Sequence, residues 1–398
     1  MNTVRVLCIG DPHFKRKNVR DTDKMMHAIL NLIITRTIDF VVILGDVLDK
    51  HGTIHESPLS RATDFIRKIQ NLLPTYVLIG NHDMVNNSVF LTSENPFNSL
   101  KYWDNTIIVD VPLQTIIGGH TFTFMPYVYP GRFMEAMNTM YGYNKEPVSL
   151  KRLEALSKLF SSLDDKEIEG KWKELKDEIT NIQEKLKSES KEIFQTPDYS
   201  IDDWKNSTCI FAHQEFKGSK MGAIISEVGD EWPLSNPLIV TGHIHDYDKL
   251  QDNLIITGTP LQHAFGDRSD KTVSLFTFYP DKTFSEERID LKIPKKVIMT
   301  VNYEDIENTV IPENSEVKII IVGNTSQISI SSKLTKVKEW IKNGIKVAYR
   351  DISDIDLKTQ KYEKVLGYEE LVMRRLESLD EKQSKSLIPL FKEIVSEI

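Results

Sequence analysis

The fold is decided by three apolar stretches of the sequence, Val4-Arg-Val-Leu-Cys-Ile-Gly10, Phe40-Val-Val-Ile-Leu-Gly45 and Thr75-Tyr-Val-Leu-Ile-Gly80. Each has the length of a strand and ends in glycine. The two segments between them, 21–37 and 57–73, carry apolar residues at helical spacing. This alternation of continuous apolar strands with helices is typical of a parallel β-sheet covered on both faces.

Polar residues follow each of these strands at once. Asp11 and His13 come after the first, Asp46 after the second, and Asn81-His82-Asp83 after the third. The carboxyl ends of parallel strands meet at one edge of a sheet, and α/β proteins place their functional sites there. We therefore expect these side chains to lie together.

Composition and charge set broad limits on the class of protein. The chain has 398 residues, 40% hydrophobic and 27% charged, which is typical of a globular protein of more than one domain. A net charge of −8 lacks the general basicity of many nucleic-acid-binding proteins. No membrane-spanning run and no signal peptide is evident, so we expect a cytoplasmic protein with no membrane association. Cys8 and Cys209 lie in apolar runs and are predicted to be buried free thiols.

The rest of the chain divides into further segments. Strand-like runs resume after residue 205, and a composition shift near 289–296 predicts a boundary between a first domain, 1–292, and a small α/β domain, 293–360. Two helices are expected in 361–398. Within the first domain, a helical insertion at 149–196 is predicted from a heptad-like spacing of Ile168, Trp172, Leu175, Ile179, Ile182 and Leu186. This coiled-coil-like insertion is either a structural arm or a surface for a partner or DNA.

Aspartate, asparagine and histidine recur at further strand ends. His213 ends one apolar run, and Gly242-His243-Ile244-His245 ends the next. Carboxylate, amide and imidazole ligands without thiolate favour Mn²⁺, Fe²⁺ or Zn²⁺ over a structural zinc site. Two neighbouring cations need a bridging anionic ligand, and Asp46 stands alone at its strand end. The glycines before Asp46, Asn81 and His243 leave room for close backbone approach.

The ordered set of motifs resembles the calcineurin-like metallophosphoesterase superfamily. The motifs are Asp11-Pro-His13, Gly45-Asp-Val-Leu-Asp49, Gly80-Asn-His-Asp83, Ala212-His213 and Gly242-His-Ile-His245. The resemblance implies an α/β/β/α sandwich and two divalent metal ions. It assigns Asp11, His13 and His245 to one metal, Asn81, His213 and His243 to the other, and Asp46 to both.

The same resemblance implies catalytic roles. His82, next to a ligand but not itself one, would stabilise the transition state or protonate the leaving oxygen, and Asp83 would orient His82. The nucleophile would be hydroxide, made available near neutral pH by the metals.

The segments after the last motif indicate a branch of the superfamily. Residues 253–267 and 270–275 are similar to the nuclease subunit of double-strand-break repair complexes, the SbcD type and its phage counterparts. The arginine that grips a phosphomonoester in phosphoprotein phosphatases is missing, since Gly45-Asp-Val-Leu-Asp-Lys-His51 stands in its place. This resemblance implies a Mn²⁺-dependent DNA exonuclease or endonuclease, a homodimer, a DNA-capping domain at 293–360, and an SbcC-type coiled-coil ATPase partner.

Two alternatives and two surface features remain open. The protein could be a small-molecule phosphodiesterase or phosphatase of the same fold, or a scaffold without catalysis. A basic strip follows the first motif, and it either contacts DNA phosphates or is simply solvated; it comprises Lys15, Arg16, Lys17 and Arg20. An apolar stripe along 387–398 either packs on its own chain or docks the ATPase.

Overall fold

The computed structural model describes residues 1–86, 88–139, 141–142, 203–222 and 224–353, and in the tail only 375–376, 387–388 and 391. The predicted helical insertion at 149–196 lies outside the described residues, as do nearly all of the predicted C-terminal helices at 361–398. Within the described ranges, no helix has the length and hydropathy needed to cross a membrane.

The described strands, numbered along the chain, are β1 (Val4–Ile9), β2 (Phe40–Ile43), β3 (Thr75–Leu78), β4 (Thr106–Val109), β5 (Leu113–Ile117), β6 (His120–Met125), β7 (Tyr141–Gly142), β8 (Cys209–Ala212), β9 (Lys220–Met221), β10 (Ile224–Ile225), β11 (Leu238–Thr241), β12 (Asp248–Gln251), β13 (Leu254–Ile256), β14 (Val273–Phe278), β15 (Phe284–Ile289), β16 (Lys295–Asn302), β17 (Ser315–Gly323) and β18 (Lys346–Asp351). The described helices are α1 (Val19–Thr35), α2 (Glu56–Gln70), α3 (Phe133–Met137), α4 (Thr325–Ser331) and α5 (Thr335–Lys342). Short 3₁₀ turns lie at Asn81–Asp83, Asn98–Tyr102, Asp203–Asn206 and Tyr303–Asn308.

Two large sheets form the first domain. One has the strand order β15-β14-β1-β2-β3-β4, in which β1 to β4 are parallel and β14 runs antiparallel to β1. The other has the order β12-β13-β11-β8-β6-β5-β7, with β13, β11, β8 and β6 parallel. Both sheets therefore have parallel centres, and the predicted motifs follow the carboxyl ends of these central strands.

The sheets pack face to face through one apolar core. Val6, Cys8 and Val42 of the first sheet lie in the same buried cluster as Phe122 and Phe211 of the second. Burying an aliphatic or phenyl side chain of this size contributes about 1.5–3 kcal/mol, so this layer holds the two sheets together. Cys8 and Cys209 are buried free thiols as predicted, and burial raises the pKa of both.

Helices and aromatic residues cover the outer faces. On the first sheet, α1 and α2 bury Met25, Ile29 and Phe65 against the strands, at the helical spacing expected from the sequence. On the second sheet, Phe133 of α3 packs with Trp204 and Trp232, among others. The layers are therefore helix, sheet, sheet and helix, and the predicted α/β/β/α sandwich is confirmed.

A smaller unit comprises residues 299–311 and 317–398. In its described part, β16, β17 and β18 form a three-stranded sheet with β17 at the centre, parallel to β18. Its core contains Ile319 and Ile321 from the central strand, together with Val337 and Trp340 from α5. The compact unit begins at residue 299, whereas the sequence predicted a boundary after residue 292. A DNA-capping role for 293–360 stays a prediction.

Gly10, at the end of β1, lies against the loop that follows β13. A Cβ atom at this position would lie 1.8 Å from the carbonyl oxygen of Gly258. The added Cβ is fixed to the Gly10 backbone and the carbonyl belongs to the Gly258 backbone, so the clash is relieved only by moving main chain. We predict that Gly10→Ala lowers the free energy of unfolding by about 2 kcal/mol or more, measured by urea denaturation.

The matched control is Gly266→Ala, because a Cβ atom at Gly266 would meet no heavy atom of the described residues within 4 Å, its two chain neighbours aside. The free energy of unfolding of this variant should stay within about 0.5 kcal/mol of the wild-type value. Equal stability of the two variants would contradict the close contact between the sheets.

Candidate metal centre

The seven predicted ligand side chains converge at one edge of the sandwich. They follow the carboxyl ends of strands from both sheets: β1, β2 and β3 of the first, and β8 and β11 of the second. His245 is exposed and the other six are buried or partly buried; the seven comprise Asp11, His13, Asp46, Asn81, His213, His243 and His245. Bringing them together requires both sheets, which is why no single segment of the sequence contains the site.

The side chains form two groups. The first contains Asp11, His13 and His245, and here the two Nε2 atoms of the histidines are 3.1 Å apart. The second contains Asp46, His213 and His243. We name these the first and second ligand groups. In each group the potential ligand atoms all lie within 4.8 Å of one another.

Asn81 joins the second ligand group. Its Oδ1 is 3.0 Å from His213 Nε2 and also 3.0 Å from His243 Nδ1. Exchanging the amide oxygen and nitrogen would let Asn81 donate hydrogen bonds to both rings. The side chain can therefore donate its N–H groups to the two rings, or turn its oxygen toward a metal ion.

Asp46, a member of the second ligand group, also faces the first. Its Oδ1 is 3.3 Å from His213 Nε2, and its Oδ2 is 3.8 Å from His13 Nε2. The carboxylate is almost completely buried. Each oxygen thus faces a different ligand group, which suits the bridging position that the resemblance assigns to this residue.

Backbone carbonyls of the loop after β2 orient three of the histidines. The carbonyl oxygen of Leu44 lies 2.6 Å from His213 Nδ1, that of Leu48 lies 3.1 Å from His13 Nδ1, and that of Asp49 lies 2.8 Å from His82 Nδ1. A carbonyl only accepts hydrogen bonds, so each Nδ1 carries the proton. Nε2 of each ring is then directed toward the ligand groups, and it offers a lone pair to a metal ion once it carries no proton.

This donor set fits divalent cations. Lone pairs of His13 and His245, or of His213 and Asn81, face one another at 3.0–3.1 Å, an arrangement that needs a cation or proton between them. For metal–ligand bonds of about 2.1 Å at right angles, ligand atoms are expected to be about 3.0 Å apart. In addition, Asp11 Oδ2 is buried and has no hydrogen-bond partner among the described residues. The site is thus suited to two metal ions; which ion binds stays a prediction.

Three of the candidate ligands have strained backbone. His13, Asp46 and His243 have φ values of 43°, 45° and 76°. Non-glycine residues in this left-handed region cost of order 1 kcal/mol or more, and such strain often marks functional sites. The neighbouring glycines also make room: a Cβ at Gly45 would lie 2.4 Å from His213 Nδ1, and one at Gly80 would lie 2.2 Å from the Asp46 nitrogen. The absence of a side chain at these glycines thus lets two ligand-bearing loops pack against each other. The sequence predicted close backbone approach but not which groups come close.

Burial and mutual contacts shift the pKa values of the ligands. Burial raises the pKa of Asp11 to about 7, and burial lowers that of His13 to about 3. Burial opposes the charged form of His213, but its contacts with Asp46 outweigh burial and raise the pKa of His213 to about 9. The same contacts hold the pKa of Asp46 low against the effect of burial. Because metal ligands must be deprotonated, metal binding displaces protons and strengthens as the pH rises.

His82 lies at the opening of the site. Its backbone N–H donates to Asp46 Oδ1 at 2.8 Å, and its Nε2 is 3.9 Å from Asp46 Oδ2. The side chain is 30% exposed, more than those of the candidate ligands His13 and His213. A histidine in this position can exchange protons with a bound substrate without being a ligand.

Asp83 has a different role from the one expected. Its carboxylate accepts hydrogen bonds from the backbone N–H groups of Val47, Leu48 and Gly80, at 2.9–3.2 Å. The partner of the His82 ring is instead the Asp49 carbonyl. The prediction that Asp83 orients the His82 ring is therefore wrong. Through these hydrogen bonds, Asp83 connects the loop after β2 to the loop after β3.

Three further residues contact the site and were not among the predicted site residues. The His51 ring stacks on the His82 ring with centroids 4.3 Å apart. His263 Nε2 lies 3.1 Å from the Asp11 carbonyl oxygen. Glu215 Oε2 lies 3.8 Å from His243 Nε2. His51 and Glu215 are close in sequence to predicted ligands, which was the available signal, whereas His263 is brought in by the loop after β13.

The basic strip lies beside the candidate metal centre. Lys15 pairs with Asp49, the residue whose carbonyl contacts His82, at 2.9 Å. The side chains of Arg16, Lys17 and Arg20 are exposed. The structure therefore separates Lys15, which has an ion-pair partner, from the three cations that face solvent.

Asp46→Asn tests the paired site. The amide keeps the shape of the side chain but loses the negative charge that would hold two cations close together. We predict that the variant folds and binds at most one Mn²⁺ per chain where the wild type binds two, measured by metal analysis after equilibrium dialysis. Asp252→Asn, at an aspartate whose side chain is 94% exposed, should bind two. Two ions bound with wild-type affinity by the Asp46→Asn variant would contradict the assignment.

Comparison with known proteins agrees with this geometry. A family model described as calcineurin-like phosphoesterase matches residues 4–268. The chain is 33% identical over 356 residues to "Putative phosphoesterase 078R" of Invertebrate iridescent virus 3, covering 88% of this chain and 85% of that protein. It is 34% identical over 339 residues to "Putative phosphoesterase 244L" of Invertebrate iridescent virus 6, covering 84% and 99%. The chain therefore belongs to the calcineurin-like phosphoesterase family, whose fold uses divalent metal ions.

Proposed function

We propose that this protein is a two-metal-dependent nuclease that hydrolyses phosphodiester bonds of DNA. The observation that carries the proposal is the pair of ligand groups on either side of Asp46, with His82 at the opening. Two cations about 3.5–4 Å apart are the usual apparatus for phosphodiester hydrolysis. When bound, they would activate water and stabilise the charge that develops on the phosphate.

The residues of the chain have distinct parts in this reaction. The two ligand groups would hold the ions, and the Asp46 carboxylate would neutralise part of their charge. His82 is the proposed proton donor to the leaving oxygen. The Asp49 carbonyl fixes one ring nitrogen of His82, so the other, Nε2, faces the substrate side. In its charged form the His82 ring carries a proton on Nε2 as well, and this proton is readily transferred because burial lowers the pKa of His82.

Surface features beside the site support DNA as the substrate. The exposed cations Arg16, Lys17 and Arg20 follow the first ligand loop and could contact the phosphate backbone. A cleft of about 570 Å³ lies against His243 and His245, and Lys220 and Arg268 line it. We infer that it receives the nucleotide next to the scissile phosphate.

The same cleft also suits a second candidate function. Its volume falls in the range of about 300–1,000 Å³ that is typical of small-molecule sites. A small-molecule phosphodiesterase or phosphatase would use the metal centre in the same way but would not require the basic strip. Cleavage of DNA is the measurement that separates the two candidates.

The resemblance to SbcD-type nucleases extends the proposal to partners. It implies a homodimer, a DNA-capping role for 293–360, and docking of an SbcC-type coiled-coil ATPase on 361–398. Mn²⁺ is the proposed physiological metal. These features rest on the resemblance rather than on contacts within the described residues.

His82→Ala should separate catalysis from metal binding. We predict that the variant still binds two Mn²⁺ but cleaves linear duplex DNA at least about 100-fold more slowly, as for a lost general acid. The matched control is His27→Ala, because His27 is an exposed histidine of α1. The assay measures release of nucleotides and shortened strands with and without Mn²⁺.

The outcomes of this assay test the proposal directly. Hydrolysis of small phosphodiesters by the wild type, with DNA left intact at every Mn²⁺ concentration, would refute the nuclease assignment and favour the second candidate. Full DNA cleavage by His82→Ala would remove His82 from the mechanism.

The basic strip yields a separate prediction for DNA binding. Replacing Arg16, Lys17 and Arg20 together by serine should weaken binding equally for different DNA sequences and flatten the dependence of affinity on salt concentration. Lys217→Ser is a control, since Lys217 is an exposed lysine paired with Glu231 on another loop. A salt dependence identical to that of the wild type would mean that the strip is only a solvated surface.

A further inference from the structure

The candidate ligand His243 has an outer partner of a different kind from those of His13 and His213. The outer nitrogens of His13 and His213 donate to backbone carbonyls. His243 directs Nδ1 toward Asn81 Oδ1, at 3.0 Å, and its outer Nε2 lies 3.8 Å from Glu215 Oε2. Its outer neighbour is therefore a carboxylate.

Glu215 and His243 both lie in packed surroundings. Glu215 is 9% exposed, and the buried Ser226 side chain lies close to its carboxylate. The Glu215 backbone carbonyl accepts from the N–H of Asp230 at 3.0 Å. The Tyr127 ring packs on the His243 ring, with centroids 5.5 Å apart. These contacts restrict the Glu215 backbone and the His243 ring, and they keep the two side chains next to each other.

Within the described residues, Glu215 is the acidic residue whose carboxylate lies within 4.0 Å of the outer nitrogen of His243. A buried carboxylate is costly unless a proton donor or a positive charge lies near it. An ionised group near Nε2 favours the tautomer with the proton on Nε2, which leaves the lone pair of Nδ1 directed toward Asn81 and His213.

The first ligand group has no equivalent carboxylate in the described part of the chain. The carboxylate within 4.0 Å of a His13 ring nitrogen is Asp46, the shared residue itself, and none lies that close to His245. His245 is instead next to His13 and His263, with ring centroids 5.0 and 5.6 Å away. The two groups thus differ in the electrostatic support of their histidines.

We propose that Glu215 is a positioning residue that fixes the tautomer and orientation of His243, so that the second ligand group holds its metal ion more tightly than the first. The inference rests on the two-metal site of the proposed function, but it does not depend on DNA being the substrate. An outer carboxylate makes an imidazole a more basic ligand, and losing it typically costs about 10- to 100-fold in metal affinity.

Glu215→Gln tests this inference, because the amide keeps the size of the side chain and removes its charge. Mn²⁺ titration by isothermal titration calorimetry should resolve two sites in the wild type. In the variant, the tighter site should weaken about 10- to 100-fold, and the weaker site should stay within about 2-fold. DNA cleavage should recover at high Mn²⁺ concentration, since the ligands are intact. Glu231→Gln, at a glutamate whose side chain is 75% exposed, should titrate like the wild type.

A second readout does not involve metal or activity. In the metal-free protein labelled with ¹⁵N, the two ring nitrogens of His243 should give the shifts of the Nε2–H tautomer, and Glu215→Gln should shift this equilibrium toward Nδ1–H. Unchanged tautomer and unchanged Mn²⁺ affinities in the folded variant would overturn the inference. Should Glu215→Gln fail to fold, Ser226→Ala, which removes a polar neighbour of the carboxylate, should weaken the same site by a smaller factor. Unchanged binding in that variant would equally overturn the inference.

The inference and the proposed function can fail separately. A wild type that binds two Mn²⁺, responds to Glu215→Gln as described and leaves DNA intact would refute the nuclease alone. If the wild type cleaves DNA but Glu215→Gln binds both Mn²⁺ ions with wild-type affinities, the positioning role alone is refuted.

Discussion

The arrangement of the site depends on the loop after β2 and on the buried carboxylate it carries. Asp46 sits in this loop with a left-handed backbone, φ 45°, and its oxygens face both ligand groups. The same loop supplies the carbonyls of Leu44, Leu48 and Asp49, which orient three histidines that follow three other strands. A shift of this one loop would therefore misplace the bridge and turn three rings at once.

A buried carboxylate also explains why so many histidines surround it. Removing a carboxylate from water costs several kcal/mol unless positive charge or hydrogen bonds replace the lost hydration. Without metal, His213 supplies this charge, because its contacts with Asp46 raise its pKa to about 9. Divalent ions would supply it instead once they displace that proton. The cluster is thus built to exchange protons for metal, and the sandwich stabilises the strained backbone at His13, Asp46 and His243.

Much of this arrangement could be predicted from the sequence. Apolar runs followed by Asp, Asn or His specify strands and the polar residues at their ends, and the resemblance of the motifs placed Asp11, His213 and His245 in one site. The partners that orient them could not be predicted, because a backbone carbonyl has the same chemistry at every position. Which carbonyl meets which ring is set by the register of strands far apart in the chain. The contacts of Asp83 with Val47 and of Glu215 with His243 likewise exist only after the two sheets pack.

The most direct measurement is a crystal structure of the protein grown with Mn²⁺, with the ions located by anomalous scattering. We predict two peaks about 3.5–4 Å apart, one oxygen of Asp46 bound to each, with Asn81 and His243 on one ion and His13 and His245 on the other. A single ion away from Asp46, or two ions that share no Asp46 contact, would show that Asp46 does not bridge a metal pair.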